Sequence, residues 1–259
     1  FILALLHNGF GTGSWNPAVV AGEGLSLAFL FGGCVGLAYL AFEPAFRRSW
    51  PDMLVSWTRL LAGRLRDPLV GRDILIGLVG GVVTTILELS GPILDRRIGI
   101  PMAEPMTYGS AVYRTGLAGL ADVFDVEFLA TAFLGAGFIL LALLLFRRRW
   151  IAALAAPLLL TVVILSVEIV LTQRPAPFAA ATSCLIAPFL FLLAYRFGFL
   201  SVLAACFVSD RLTDYPVLLN TSEWYAGRCW IVTSLLVFLA LWALRIATVR
   251  PPHRQTARP

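Results

Sequence analysis

Residues Ile74–Leu94 read ILIGLVGGVVTTILELSGPIL, twenty-one positions with one ionisable side chain, Glu88. A helix needs about 20 predominantly apolar residues to cross a bilayer, so this stretch reads as a transmembrane span. Comparable runs occur at Leu25–Phe42, Phe128–Phe146, Trp150–Val167, Pro175–Tyr195 and Cys229–Leu244, with a shorter one at Phe197–Ser209. Together they predict an all-α, polytopic transmembrane helical bundle of about seven complete spans. Phe1–Leu6 reads as the end of a truncated span, 7–249 as a multi-pass membrane domain and 250–259 as a cytoplasmic tail. Pro188 is expected to kink its span.

Composition agrees. Of 259 residues 59% are hydrophobic and 14% charged, with a mean hydropathy of +0.86. Soluble domains carry about 25% charged residues, and this chain could not solvate itself with so few. All 20 basic residues are Arg. Without Lys the chain holds no phosphate-loop lysine, Schiff-base lysine or ATP-pairing kinase lysine. Its two histidines, His7 and His253, stand at opposite ends, which excludes a multi-histidine metal centre. The net charge of +5 fits cytoplasmic loops better than nucleic acid in so apolar a chain.

Arginine placement predicts an orientation. The segment 43–73, Arg147–Arg149, Arg196 and the tail from Arg245 are net positive, whereas 95–125 and 210–228 hold their arginines among acids. The first set belongs in the cytoplasm and the second outside, which puts the C-terminus in the cytoplasm. This alternation requires Phe197–Ser209 to cross. No internal repeat is evident, which weighs against a transporter built from duplicated halves.

Within 43–73, Trp50, Met53, Leu54, Trp57, Leu60 and Leu61 recur at helical i, i+3, i+4, i+7 spacing. Pro51 suits the first turn of that helix, and Arg59, Arg64 and Arg66 lie toward its polar side. Such a helix either lies in the interface with its arginines on anionic lipid headgroups or docks a cytoplasmic partner. Arg47, Arg48 and Arg72 share the segment, so Trp50, Trp57, Arg47, Arg48, Arg59, Arg64, Arg66 and Arg72 are the candidate contacts to lipid or partner. Arg66 to Asp73 reads as a turn closed by opposite charges.

Glu88 is the intramembrane acid. Such groups are costly and mark proton or ion pathways, although Ser90, Gly91 and Pro92 follow at once and suit a helix-end carboxylate facing water or Arg. Asp122, Asp125 and Glu127 fit the N-terminus of the next helix better than a cation site. Cys34, Cys184, Cys206 and Cys229 read as small apolar residues, with a Cys206–Cys229 disulfide conceivable. Gly9–Gly13 lacks a phosphate-loop pattern, Asn220-Thr221-Ser222 is a chance-level sequon, and Ser110 has no activating His. No catalytic, cofactor or metal site emerges.

Two stretches carry a resemblance: Glu43-Pro44 with Arg47-Arg48-Ser49-Trp50-Pro51, Ser56-Trp57 and Arg59-Leu60-Leu61-Ala62-Gly63-Arg64 through Asp73, and Trp224-Tyr225-Ala226-Gly227-Arg228. They resemble the C-terminal multi-pass membrane region of certain bacterial eukaryotic-like serine/threonine protein kinases. The resemblance implies a cytoplasmic kinase domain upstream of Phe1, where ATP and Mg would bind, because this chain has no His-Arg-Asp, Asp-Phe-Gly or Lys. It implies a non-catalytic anchor or sensor that would tether, and could regulate, that kinase. The alternative from the residues is a small-solute permease using Glu88.

Overall fold

The computed structural model describes scattered positions between 29 and 48, then residues 50–99, 137, 149–172, 177–215, 217 and 226–248. All regular structure among these is helical. A 3-10 turn at Pro51–Leu54 leads into α1 (Val55–Leu61) and then α2 (Pro68–Arg97). After these come α3 (Arg149–Thr172), α4 (Pro177–Phe197), α5 (Phe199–Asp214) and α6 (Ala226–Thr248). Three helices are long and apolar enough to cross a membrane: Pro68–Arg97, Ala180–Phe197 and Ala226–Thr248. The chain is therefore a helical membrane protein, with three such helices among the described residues where the sequence predicts seven spans. Phe1–Leu6, Phe128–Phe146 except residue 137, most of the 95–125 loop and 250–259 lie outside the described residues, as do Asp122, Asp125 and Glu127.

The elements differ from the sequence reading at their ends. The span predicted at Ile74–Leu94 is a 30-residue helix, α2, about 45 Å long at 1.5 Å per residue. It takes in Pro68–Asp73, expected as loop, because Asp67 caps it: Leu69 N–H donates to Asp67 Oδ1 at 3.0 Å, and Pro68 occupies the first turn. The marginal run 197–209 is broken at Gly198 and helical from Phe199 through Asp214, so the first residues of the expected 210–228 loop belong to α5. The single amphipathic helix expected over Trp50–Leu65 is instead a 3-10 turn followed by seven α-helical residues. It stops because Gly63 adopts φ +74°, with Gly63 N–H donating to Leu60 C=O at 3.0 Å and Arg64 N–H to Arg59 C=O at 3.0 Å. That pair of bonds is a Schellman stop, and only glycine takes the left-handed position without strain.

α2 is the central helix. It packs along α5, α4 and α6, and α3 packs on α4. Close contacts fix the relative directions. A Cβ at Gly77 would meet Ala204 and Ser201, one at Gly81 would meet Val208 and Ala205, and Thr85 reaches Ser209. Residue numbers rise together, so α2 and α5 are parallel. Gly80 faces Leu193, while Asp95 accepts the Phe178 N–H at 3.1 Å, so α4 is antiparallel to α2. Gly71 abuts Ala243, Ile246 and Ala247, and Leu236, Leu239 and Ala240 pack into the cluster of Ile74 and Leu78 farther along α2, so α6 is antiparallel as well. One end of the bundle thus collects the starts of α2 and α5 with the ends of α4 and α6. The opposite end collects Arg97, Pro177, Asp214 and Ala226.

Glycine at 77 and 81 lets α2 and α5 approach until backbone meets side chain, the small-xxx-small packing of membrane helices. Asp95 supplies an acceptor to the first turn of α4, where backbone N–H groups have no helical partner. Among the described residues two apolar clusters fill the interior. One holds Met53, Leu54, Leu193, Phe199 and Cys206, and the other Val70, Ile74, Leu78, Leu200, Val208 and Ala243.

Candidate functional site

Two polar constellations stand out, one at each end of the α2–α5 seam. At the end where α2 begins, the Pro51–Leu61 segment is clamped to the bundle. Trp50 lies edge-on to Phe191 and Tyr195, with centroids 6.3 and 5.9 Å away, and Trp57 edge-on to Phe199 at 5.7 Å. The Trp57 indole N–H is buried and has no hydrogen-bond partner among the described residues. Asp73, 1% exposed, accepts from the Ser56 hydroxyl and from Arg72 at 2.8 and 2.9 Å. Asp67 accepts from Arg59 at 2.7 Å while it caps α2. A buried carboxylate is tolerated only when its oxygens are satisfied, so Ser56 and Arg72 hold Asp73 and Asp73 in turn holds α1.

The junction of α4 and α5 completes the clamp. Gly198, φ +98°, lies so close to the 3-10 turn that a Cβ would come within 2.9 Å of the Met53 carbonyl oxygen. The clamp therefore touches α2, α4 and α5 together.

Toward the other end, Glu88 projects from α2 against α5. Its Oε2 accepts the Ser209 hydroxyl at 2.8 Å and the Thr213 hydroxyl at 3.2 Å. Thr85 donates to Gly81 C=O at 2.9 Å and lies 3.3 Å from Ser209 Oγ, which extends the chain of hydroxyls one turn inward. Pro92 stands four residues after Glu88 and offers no N–H to its backbone carbonyl. Beside this cluster Arg211, 2% exposed, pairs with Asp210 and lies 3.8 Å from Asp214.

The sequence candidates divide. Trp50, Trp57, Arg59 and Arg72 are joined in the clamp. Arg47 pairs with Glu43 at 2.6 Å, and that bond, with a second from Tyr39, holds the half-buried Glu43 carboxyl below its ordinary range. Arg48, Arg64 and Arg66 are exposed. Arg66–Asp73 is not the expected charge-closed turn: Pro68–Asp73 is helical, and it is Arg59 of α1 that pairs with Asp67. Glu88 lies well inside its helix and meets hydroxyls, where the sequence suggested a helix end facing water or Arg. All four cysteines are free, which removes the conceivable Cys206–Cys229 disulfide. Pro188 lies inside a continuous α4.

Sequence reasoning named Ser56 and Asp73 only within the resemblance and the charged turn, not as partners, and did not pick out Thr85, Ser209 and Thr213. Their available signal was the Thr84-Thr85 and Ser209-Asp210-Arg211 polar breaks in otherwise apolar runs. Among the described residues no group of three His, Cys, Asp or Glu is placed to hold a metal ion. No family model, no curated protein and no solved structure matches this chain.

Proposed function

We propose that this chain is a membrane anchor and sensor domain that tethers, and regulates, a cytoplasmic serine/threonine kinase domain encoded upstream of it. In this reading it is a seven-span bundle of a bacterial inner membrane with its C-terminus in the cytoplasm. The observation that carries the proposal is the clamp. The arginine-rich segment Trp50–Arg66 is fastened simultaneously to α2, α4 and α5 through Trp50, Trp57 and the Ser56–Asp73 bond. Packed elements shift as discrete units, so a rearrangement of these helices would move a platform at the cytoplasmic surface. The parallel and antiparallel directions of α2, α4, α5 and α6 also agree with the sidedness that the arginines predict.

Reading the coding sequence upstream of Phe1 tests the proposal. An in-frame kinase domain with its Lys, His-Arg-Asp and Asp-Phe-Gly elements is expected. A start codon directly before Phe1 with no kinase motif overturns it. If the clamp regulates, the full-length Ser56→Ala variant shows altered autophosphorylation in membranes.

The Glu88 cluster favours a second reading, a small-solute permease. A carboxylate that accepts from two hydroxyls at membrane depth is a functional feature by default. Loss of solute uptake by Glu88→Gln vesicles would favour this reading over the anchor.

A further inference from the structure

Seven of the arginines at the clamp end fall into two groups, Arg48 aside. Arg47, Arg59 and Arg72 are tied to Glu43, Asp67 and Asp73. Arg64, Arg66, Arg196 and Arg245 are exposed and make no ion pair with a described residue. These four come from three separate places in the chain: the α1–α2 turn, the last turn of α4 and the last turn of α6. The packing brings them to one level. Gly71 of α2 abuts Ala243, Ile246 and Ala247, and the Gly198 junction abuts Met53.

Each free arginine also has an exposed large apolar neighbour in sequence. Leu65 (50% exposed) stands between Arg64 and Arg66, Tyr195 (60%) precedes Arg196 and Leu244 (51%) precedes Arg245. The tied Arg72 sits instead between buried Gly71 and Asp73. An exposed apolar side chain beside a long cationic one suits the boundary between acyl chains and headgroups, where the apolar group enters lipid and the guanidinium reaches a phosphate.

We propose that Arg64, Arg66, Arg196 and Arg245 form a binding surface for anionic phospholipid headgroups around the clamped end of the bundle. Arginine is suited to this because its planar fork can grip a phosphate through two N–H groups. The surface depends on the membrane assignment but not on the upstream kinase, so it stands or falls separately from that proposal. It also shifts lipid contact away from Trp50 and Trp57, whose rings pack on α4 and α5, and toward Arg196 and Arg245, which the amphipathic segment does not contain.

The test uses the full chain reconstituted into nanodiscs of mixed phosphatidylglycerol and phosphatidylcholine. Native mass spectrometry counts the lipids retained. The wild type is expected to retain phosphatidylglycerol preferentially. An arginine near an anionic surface contributes about a fivefold preference. The quadruple variant Arg64→Gln/Arg66→Gln/Arg196→Gln/Arg245→Gln should lose most of that preference, and Arg47→Gln should keep it. These side chains are exposed, so the helical circular dichroism of the variant should match wild type. The fourfold Arg→Lys variant, which keeps the charge, provides a second folded comparison and should retain part of the preference. Undiminished phosphatidylglycerol retention by the folded quadruple Gln variant overturns the proposal, as does an equal loss in Arg47→Gln. Equal retention of both lipids by the wild type also overturns it.

Discussion

The closeness of the α2–α5 seam makes glycine substitution a quantitative probe of the architecture. A Cβ added at Gly81 would lie 2.5 Å from Val208 Cβ and 2.6 Å from the Ala205 carbonyl oxygen. Ordinary van der Waals contact begins at 3.4 Å, so α5 would have to retreat by about 0.9 Å. Overpacking of that kind costs about 1–3 kcal/mol. Replacing a mid-helix glycine with Ala returns about 1 kcal/mol of helix propensity, which obscures the effect of any one substitution. Gly80 supplies the internal standard. It belongs to the same helix, but its added Cβ would meet Leu193 Cδ2 at 3.0 Å, the flexible tip of a side chain. Propensity cancels between Gly81→Ala and Gly80→Ala, leaving a difference of about 1–3 kcal/mol that belongs to the seam.

Cys206, buried where α5 packs on α4 beside the seam, reports on how tightly α5 is held. It is a free, buried thiol on α5, and labelling by a small maleimide requires α5 to loosen from its neighbours, which a displaced seam promotes. In a Cys34→Ser, Cys184→Ser, Cys229→Ala background, Gly81→Ala should label roughly 5- to 150-fold faster than Gly80→Ala, at tenfold per 1.4 kcal/mol. Equal labelling rates for the two variants would refute the parallel, backbone-close pairing of α2 with α5.

Other consequences follow from the clamp and the caps. Ser56→Ala removes a hydrogen bond to a buried carboxylate and should destabilise by about 1–3 kcal/mol, measured as release of Trp50 and Trp57 fluorescence at lower denaturant. Asp67→Ala loses the cap of α2, about 1 kcal/mol, and should raise amide hydrogen exchange in the first turn after Pro68. The Glu43 carboxyl is held below its ordinary range by Arg47 and then Tyr39. Its ion pair is therefore fully formed above the ordinary carboxylate range and is lost only as the pH falls through the lowered value. Carbon-13 titration of Glu43 should show that depressed midpoint, and Arg47→Gln should raise it.

The membrane-spanning character was legible because hydrophobic run length reports it directly. The limits of α2 were not, since Pro68–Asp73 looked like a charged loop, and only Asp67 acting as a cap makes those residues helical. Period and spacing correctly marked the face of Trp50, Met53, Leu54 and Trp57 as apolar. What that face meets depends on Phe191, Tyr195 and Phe199, more than 130 positions away, and no local pattern encodes such a contact. Glu88 was conspicuous as a lone acid. Its partners Ser209 and Thr213 became visible only once α2 and α5 lay parallel and in register. The arginines were equally visible, but pairing decides which of them are free, and pairing is a property of the packed structure.

The most direct test of the central claim is sidedness. Single-cysteine variants Arg66→Cys, Arg196→Cys, Arg245→Cys, Arg97→Cys and Asp214→Cys, in a background otherwise free of cysteine, would be treated with a membrane-impermeant maleimide in sealed, oriented vesicles. Positions 66, 196 and 245 should label from the cytoplasmic face, and 97 and 214 from the opposite face. Labelling of 196 and 214 from the same face would contradict the account, because α5 would then not cross.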